Sequence, residues 1–153
     1  MPNVKSNFYP FPAPIIASSK KIRDFFSSYY PIKSVIKLIN NFDVCFVSVG
    51  CIANKNNTPL LIDKIISEKQ FLNLKKLGAV GEINGLCFDI NGKIIQTPSD
   101  YIPTTCLPST SKNNPVIAVS TGSHKAKAVR AAIKAKLING LITDESTAKK
   151  ILS

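Results

Sequence analysis

The residues with the clearest chemical potential lie where a strand-like run, 116–119, gives way to a helix-like segment. The first N–H groups of a helix have no partner within the helix, and the helix dipole places partial positive charge there. Thr121 and Ser123 add hydroxyl groups, and Gly122 allows close approach of the backbone. Lys125 adds a full positive charge, so the segment favours a phosphate or a carboxylate. The alternative is an ordinary capped helix, with Ser123 as its N-cap and Lys125 as a solvated lysine.

Two strands are predicted to position this segment. Residues 116–119 are continuously apolar and follow Asn-Asn-Pro, which is typical of a strand buried on both faces of a largely parallel sheet. Residues 43–50 form a similar run that ends at Gly50. Because open α/β sheets bind ligands beyond the carboxyl ends of their strands, Ser48, Gly50 and Cys51 are also candidates to line a site.

The remaining pattern predicts helices alternating with strands. Asn91-Gly92, between two apolar runs, predicts a β-hairpin. The succession predicts one domain of the α/β class, a three-layer sandwich with a mostly parallel sheet plus that hairpin. The other predicted elements are an irregular edge segment at 11–17, helices at 19–28, 31–39, 67–77, 123–137 and 145–152, and strands at 81–89 and 138–143.

Composition narrows the function classes. The 153 residues carry a formal charge of +11, but the lysines are scattered and only Arg23 and Arg130 could make bidentate base contacts, so nucleic-acid binding is not favoured. The charge is weak support for a small anionic ligand. The four cysteines lack metal-site spacing, and no apolar run approaches a membrane span. We therefore predict a cytoplasmic protein without cofactor, metal or membrane partner.

Three segments together resemble one known family. They are Gly-Ala-Val-Gly-Glu-Ile-Asn-Gly at 78–85, Gly-Ser-His-Lys-Ala-Lys-Ala at 122–128 and Leu-Ile-Thr-Asp-Glu-Ser-Thr-Ala at 141–148. Their order and spacing are similar to the sugar-binding domain of bacterial transcriptional regulators of the SorC (DeoR/SorC) type. Residues 12–14, 18–23 and 44–50 resemble upstream parts of the same domain.

The resemblance implies a fold and a site. The implied fold is related to sugar-phosphate isomerases and CoA transferases, here used to sense a phosphorylated sugar. Lys125 matches the lysine near the ligand phosphate, Gly122 the preceding turn, and Glu82 an acidic position that contacts sugar hydroxyls. The predicted ligand-binding set is therefore Thr121, Gly122, Ser123, Lys125, Glu82 and Gly50.

The chain also departs from the family pattern. No helix-turn-helix precedes Phe11, and the first strand-helix unit of the family domain, with its glycine- and threonine-rich loop, is absent. Ser48 stands where a glycine is frequent. We therefore expect residues 1–153 to be a partial effector domain, incomplete at its N-terminus, with DNA binding confined to a domain outside this chain.

Three functions follow as hypotheses. The first is a non-enzymatic domain that binds a phosphorylated sugar. The second is an isomerase or deaminase of sugar phosphates, for which Glu82 and His124 are the candidate acid-base groups. The third is a chain that forms a homo-oligomer or associates with a full-length regulator through an exposed sheet edge.

Overall fold

The computed structural model describes residues 6–39, 41–98, 100–111 and 113–153. Within these residues no helix is both long and apolar enough to cross a membrane. The strands are β1 (Ile16–Ala17), β2 (Cys45–Val47), β3 (Gly50–Cys51), β4 (Gly81–Ile83), β5 (Leu86–Phe88), β6 (Ile102–Pro103), β7 (Val116–Val119) and β8 (Gly140–Ile142). The helices are α1 (Lys20–Ser28), α2 (Tyr30–Ile39), α3 (Pro59–Ile62), α4 (Glu68–Lys76), α5 (Ala126–Lys134) and α6 (Glu145–Leu152).

A parallel sheet of order β2-β7-β8 forms the first layer. One face carries Val116 and Ala118, which are buried in a core shared with Val129 and Ala132 of α5. The opposite face is apolar but solvent-exposed over much of its area. We call this the open face of the parallel sheet; it includes Phe46, Val119 and Ile142, which are 60%, 46% and 54% exposed.

An antiparallel sheet of order β3-β4-β5 lies beside the parallel one. Its tight turn is Asn84-Gly85, where φ is 52° and 80°; positive φ at both central residues is the reason Asn-Gly is favoured in two-residue hairpins. The predicted single strand at 81–89 is therefore wrong, because this turn divides it into β4 and β5. The turn predicted at Asn91-Gly92 also forms. The residues on its two sides pair only through an isolated antiparallel bridge between Phe88 and Ile94, without a second strand, among the described residues.

Helices cover both faces of this antiparallel sheet. Gly81 lies against α5 so closely that a Cβ there would stand 2.7 Å from the Cβ of Ala128. On the other face, Cys87 packs in a second core with Phe71 and Leu74 of α4. The helix-sheet-helix arrangement and the parallel sheet confirm the predicted α/β class.

The chain changes sheets between β2 and β3. The sequence predicts one strand over 43–50 that Gly50 ends, but β2 ends at Val47 and Gly50 begins β3. Val49 is fully buried between them. The apolar run is continuous because the crossing segment passes through the core, so hydrophobicity alone could not locate the break.

Side-chain caps fix the starts of several helices. Ser67 and Gln70 form a reciprocal capping box at α4, and Asp144 caps α6 by accepting from Thr147 N at 2.9 Å. Ser123 does not cap a helix, contrary to the alternative interpretation. A 3₁₀ turn, Ser123–Lys125, precedes α5, so Lys125 occupies the N-cap position without a side-chain cap bond.

Candidate functional site

The segment Thr121–Lys125, which we call the 121–125 turn, leaves the carboxyl end of β7. Ser120 connects it to two neighbouring segments. Its N–H donates to Ile142 O of β8 at 3.1 Å, and its hydroxyl donates to Val49 O, between β2 and β3, at 3.2 Å. The turn therefore lies at the carboxyl edge of the parallel sheet, where α/β folds commonly bind ligands.

The backbone of the turn depends on Gly122. Its φ of 104° is in the region that L residues rarely adopt, and a Cβ there would lie 2.6 Å from the His124 ring. Lys125 N donates to Gly122 O at 2.9 Å, which closes the 3₁₀ turn. The N–H groups of Ser123 and His124 donate no hydrogen bond to the described residues. These two N–H groups are therefore free to donate hydrogen bonds to an anion, as the first N–H groups of a helix do.

Glu82 lies on β4 directly opposite Gly50 of β3. The residue is 8% exposed, and one carboxylate oxygen, Oε2, accepts from Gly85 N at 2.8 Å. The other oxygen, Oε1, occupies the space that a side chain at position 50 would need, since a Cβ on Gly50 would lie 2.1 Å from it. Gly50 therefore contributes by making room for the Glu82 carboxylate.

Burial and charge act in opposite directions on Glu82. Burial raises the pKa of Glu82 above its usual range, while the Gly85 N–H and the charge of Lys125 partly offset this rise. Lys125 is half-buried and is not among the ion pairs within 4.0 Å formed by described residues. The site thus brings a carboxylate acceptor and a lysine ammonium into electrostatic reach without tying them to each other.

The six predicted residues fall into two groups. Thr121, Gly122, Ser123 and Lys125 form the turn, with the hydroxyl-bearing Thr121 and Ser123 exposed at its surface. Glu82 and Gly50 lie together in the adjacent antiparallel sheet. The two groups meet where the 121–125 turn packs against β3. Ser48 is exposed, whereas Cys51 is only 1% exposed and donates to Asn57 O at 3.0 Å, so its thiol is a core group.

Sequence reasoning missed the side chains that support the site. Asp144 Oδ2 and Thr147 Oγ1 both accept from Gly122 N, at 3.0 and 2.9 Å. Tyr101 is fully buried and donates its hydroxyl to Gly85 O at 2.6 Å, behind the hairpin turn that carries Glu82. The capping signal at Asp144 was visible in the sequence, but its second partner, Gly122, is 22 residues away.

His124 lacks the surroundings of an acid-base catalyst. It lines a cavity of about 490 Å³ with Cys51, Lys75 and Lys127, and no carboxylate lines that cavity. No hydrogen bond orients its imidazole within the described part of the chain. General acid-base catalysis by histidine ordinarily requires such an orienting partner.

Comparison with known proteins identifies the family. A family model described as a sugar-binding domain matches residues 3–153. The transcriptional regulator LsrR of Escherichia coli strain K12 is 34% identical over 143 residues, covering 92% of this chain and 45% of LsrR.

Solved structures agree on the fold. A DeoR family transcriptional regulator from Listeria monocytogenes superposes with a TM-score of 0.82 at 22% identity, covering 92% of this chain and 57% of that one. The full-length sorbitol operon regulator SorC from Klebsiella pneumoniae gives a TM-score of 0.74 at 20% identity, covering 92% and 44%. This chain spans about half the length of these proteins. Because the family model matches nearly every residue, the chain belongs to the sugar-binding domain family.

Proposed function

We propose that this chain is an effector-binding domain that recognises a phosphorylated sugar for a bacterial transcriptional regulator. The observation that carries the proposal is the meeting of the 121–125 turn with Glu82 at the carboxyl edge of the parallel sheet. DNA binding would then belong to a domain outside residues 1–153. A cytoplasmic location stays a prediction.

The two halves of the site suit the two ends of such a ligand. The Lys125 ammonium and the free N–H groups of Ser123 and His124 provide positive charge and donors for a phosphate. Thr121 and Ser123 add exposed hydroxyls. The Glu82 carboxylate has a second oxygen that can accept from sugar hydroxyls. A ligand carrying a phosphate at one end and hydroxyls at the other satisfies both groups, whereas inorganic phosphate satisfies one.

Thermal unfolding in the presence of sugar phosphates tests this proposal. The probes are glucose 6-phosphate, fructose 6-phosphate and ribose 5-phosphate, each compared with its neutral sugar and with inorganic phosphate. A ligand at about 10 mM with a Kd near 0.1 mM stabilises the native state by about 2.7 kcal/mol, which raises Tm by about 5–10 °C. If no sugar phosphate raises Tm above its neutral sugar, the proposal is wrong.

Matched variants assign the effect to the site. Lys125→Met should abolish the Tm shift, while Lys127→Met, which removes the same charge from an exposed position two residues away, should retain it. Glu82→Gln should weaken binding of the sugar phosphate but leave binding of inorganic phosphate unchanged. Equal effects of Lys125→Met and Lys127→Met would indicate nonspecific attraction to a basic protein.

We favour a sensing role over catalysis, since the relatives are named as regulators and His124 lacks an orienting group. The expected result is that purified protein turns over neither ribose 5-phosphate nor glucosamine 6-phosphate. Turnover that Glu82→Gln abolishes and Lys127→Met preserves would support the isomerase or deaminase hypothesis instead.

We further propose association with a full-length regulator of the same family through the open face of the parallel sheet. Parallel sheets are ordinarily covered on both faces, so Phe46, Val119 and Ile142 suit an apolar partner surface. A second copy of this chain is the less suitable partner, because two chains that each carry a formal net charge of +11 repel one another.

Co-expression with a tagged full-length relative, Escherichia coli LsrR, tests the association. The wild-type chain should co-purify with it, and Phe46→Ser with Val119→Ser should prevent this. Tyr30→Ser, at an 80% exposed aromatic on another element, serves as the control. A homodimer that persists in the absence of the regulator, or capture unaffected by the open-face variants, would contradict the proposal.

A further inference from the structure

Asp144 connects two elements that the sequence separates. Its Oδ1 accepts from Thr147 N at 2.9 Å, which is an ordinary N-cap bond at the start of α6. Its Oδ2 accepts from Gly122 N at 3.0 Å in the 121–125 turn. One carboxylate therefore joins the first turn of α6 to the backbone of the candidate phosphate site.

Thr147 completes this connection. It is fully buried, and its Oγ1 donates to Asp144 Oδ2 while accepting from Gly122 N at 2.9 Å. Ser146 Oγ donates to Asp144 Oδ1. These four donors hold the pKa of the Asp144 carboxyl well below its usual range, so the group is ionised under ordinary conditions.

The connection also decides which donors a ligand can use. The Gly122 N–H points to the Asp144-Thr147 pair and is not available to an anion. The next two N–H groups, of Ser123 and His124, stay free. Glycine can adopt many backbone conformations besides the φ of 104° observed at Gly122. The hydrogen bonds from its N–H favour the observed conformation over the others.

We propose that Asp144 is a positioning residue for the phosphate half of the site: by binding Gly122 N it holds the 121–125 turn in the conformation that presents the free N–H groups and Lys125. Asp144 itself contacts no ligand. The inference rests on the proposed function, because it assigns the turn to an anion.

The test uses the variant Asp144→Ser. Serine is as good an N-cap as aspartate, so α6 stays capped. Its shorter side chain cannot also reach Gly122 N, so this N–H loses its charged acceptor and keeps only the neutral hydroxyl of Thr147. The control is Ser67→Ala, which removes the capping side chain of α4, remote from the site.

The first measurement concerns the free protein. Amide hydrogen exchange is followed by NMR on ¹⁵N-labelled protein. The Gly122 amide should be protected in the wild type and in Ser67→Ala. In Asp144→Ser it should exchange at least about tenfold faster, which corresponds to the loss of one charge-assisted hydrogen bond. If the Gly122 amide of the wild-type protein exchanges as fast as its Ser123 amide, the inference is wrong. This outcome requires no ligand.

The second measurement uses the sugar phosphate that gives the largest Tm shift, and inorganic phosphate. Asp144→Ser should weaken both by about tenfold, by loss of the same bond, whereas Ser67→Ala should change neither. Equal affinity of the wild type and Asp144→Ser overturns the positioning role while leaving the proposed function intact. Failure of the wild type to bind any phosphate overturns the proposed function, and with it the assignment of the turn to an anion, even if Gly122 is protected.

Discussion

Replacing Gly50 with alanine tests how the Glu82 carboxylate is held. The three atoms nearest to a Cβ at position 50 all belong to Glu82: Oε1 at 2.1 Å, Cδ at 2.9 Å and Cγ at 3.1 Å. The backbone of Gly50 does not adopt the left-handed φ found at Gly78, Gly85, Gly92 and Gly122. The cost of the methyl group is therefore steric rather than conformational.

The magnitude follows from what has to move. Glu82 is 8% exposed and its Oε2 is bonded to Gly85 N, so its side chain cannot rotate away without breaking that bond. Overpacking of a buried position costs about 1–3 kcal/mol, and loss of a hydrogen bond to a charged group costs about 1.5–3 kcal/mol. Because part of each cost can be relieved by relaxation, we expect Gly50→Ala to destabilise the protein by about 2–4 kcal/mol in total.

The assay is urea unfolding followed by circular dichroism, as a double-mutant cycle with Glu82→Ala. With an m-value of about 2 kcal/mol per M, the expected loss lowers the midpoint by about 1–2 M. In the Glu82→Ala background the obstructing atoms are gone, so the same substitution should cost less than about 0.5 kcal/mol. An equal cost in both backgrounds, or no cost in the wild type, would refute the proposed packing of Glu82 on Gly50.

Other predictions concern buried groups around the site. Burial raises the pKa of Glu82 in the folded state above its usual 4.5, so the unfolded chain releases this proton at lower pH than the folded protein does. The free energy of unfolding should therefore fall as pH rises through and above 4.5. Unfolding measured from about pH 4 to about pH 7 should show a smaller fall for Glu82→Gln than for the wild type. Tyr101→Phe leaves a buried carbonyl without its donor and should cost about 1–3 kcal/mol in urea unfolding, whereas Tyr30→Phe at an exposed position should change stability by less than about 0.5 kcal/mol. Burial raises the pKa of the Cys87 thiol to about 12. Iodoacetamide should therefore modify the half-buried Cys106 well before Cys87, as measured by mass spectrometry. Equal rates of modification at the two thiols would contradict the burial of Cys87.

Local sequence signals predicted most helix boundaries correctly. Ser19 before α1, Ser67 before α4 and Asp144 before α6 each cap their helix at the predicted boundary, because a cap bond joins residues two or three apart. The helix after Gly122 begins later than predicted, since the sequence there satisfies a 3₁₀ turn as well as an α-helical turn.

Strand assignments were less complete. The apolar run at 43–50 contains a change of sheet at Val49, and the predicted strand at 81–89 contains a turn at Asn84-Gly85. A buried strand and a buried connection have the same hydrophobicity. Which strands pair is a property of contacts between distant segments, so periodicity could not settle it.

The sequence by itself determined the α/β class and the position of the 121–125 turn, because these depend on local pattern and on motifs. The assignment of its residues to a sugar phosphate stays a prediction. The tertiary structure alone decided that Gly50 makes room for Glu82, and that Gly122 N is bonded to Asp144 and Thr147 and is not free for a ligand. Both facts join residues more than 20 positions apart. They rest on hydrogen-bond geometry and steric contact, which exist only once the strands and helices have packed.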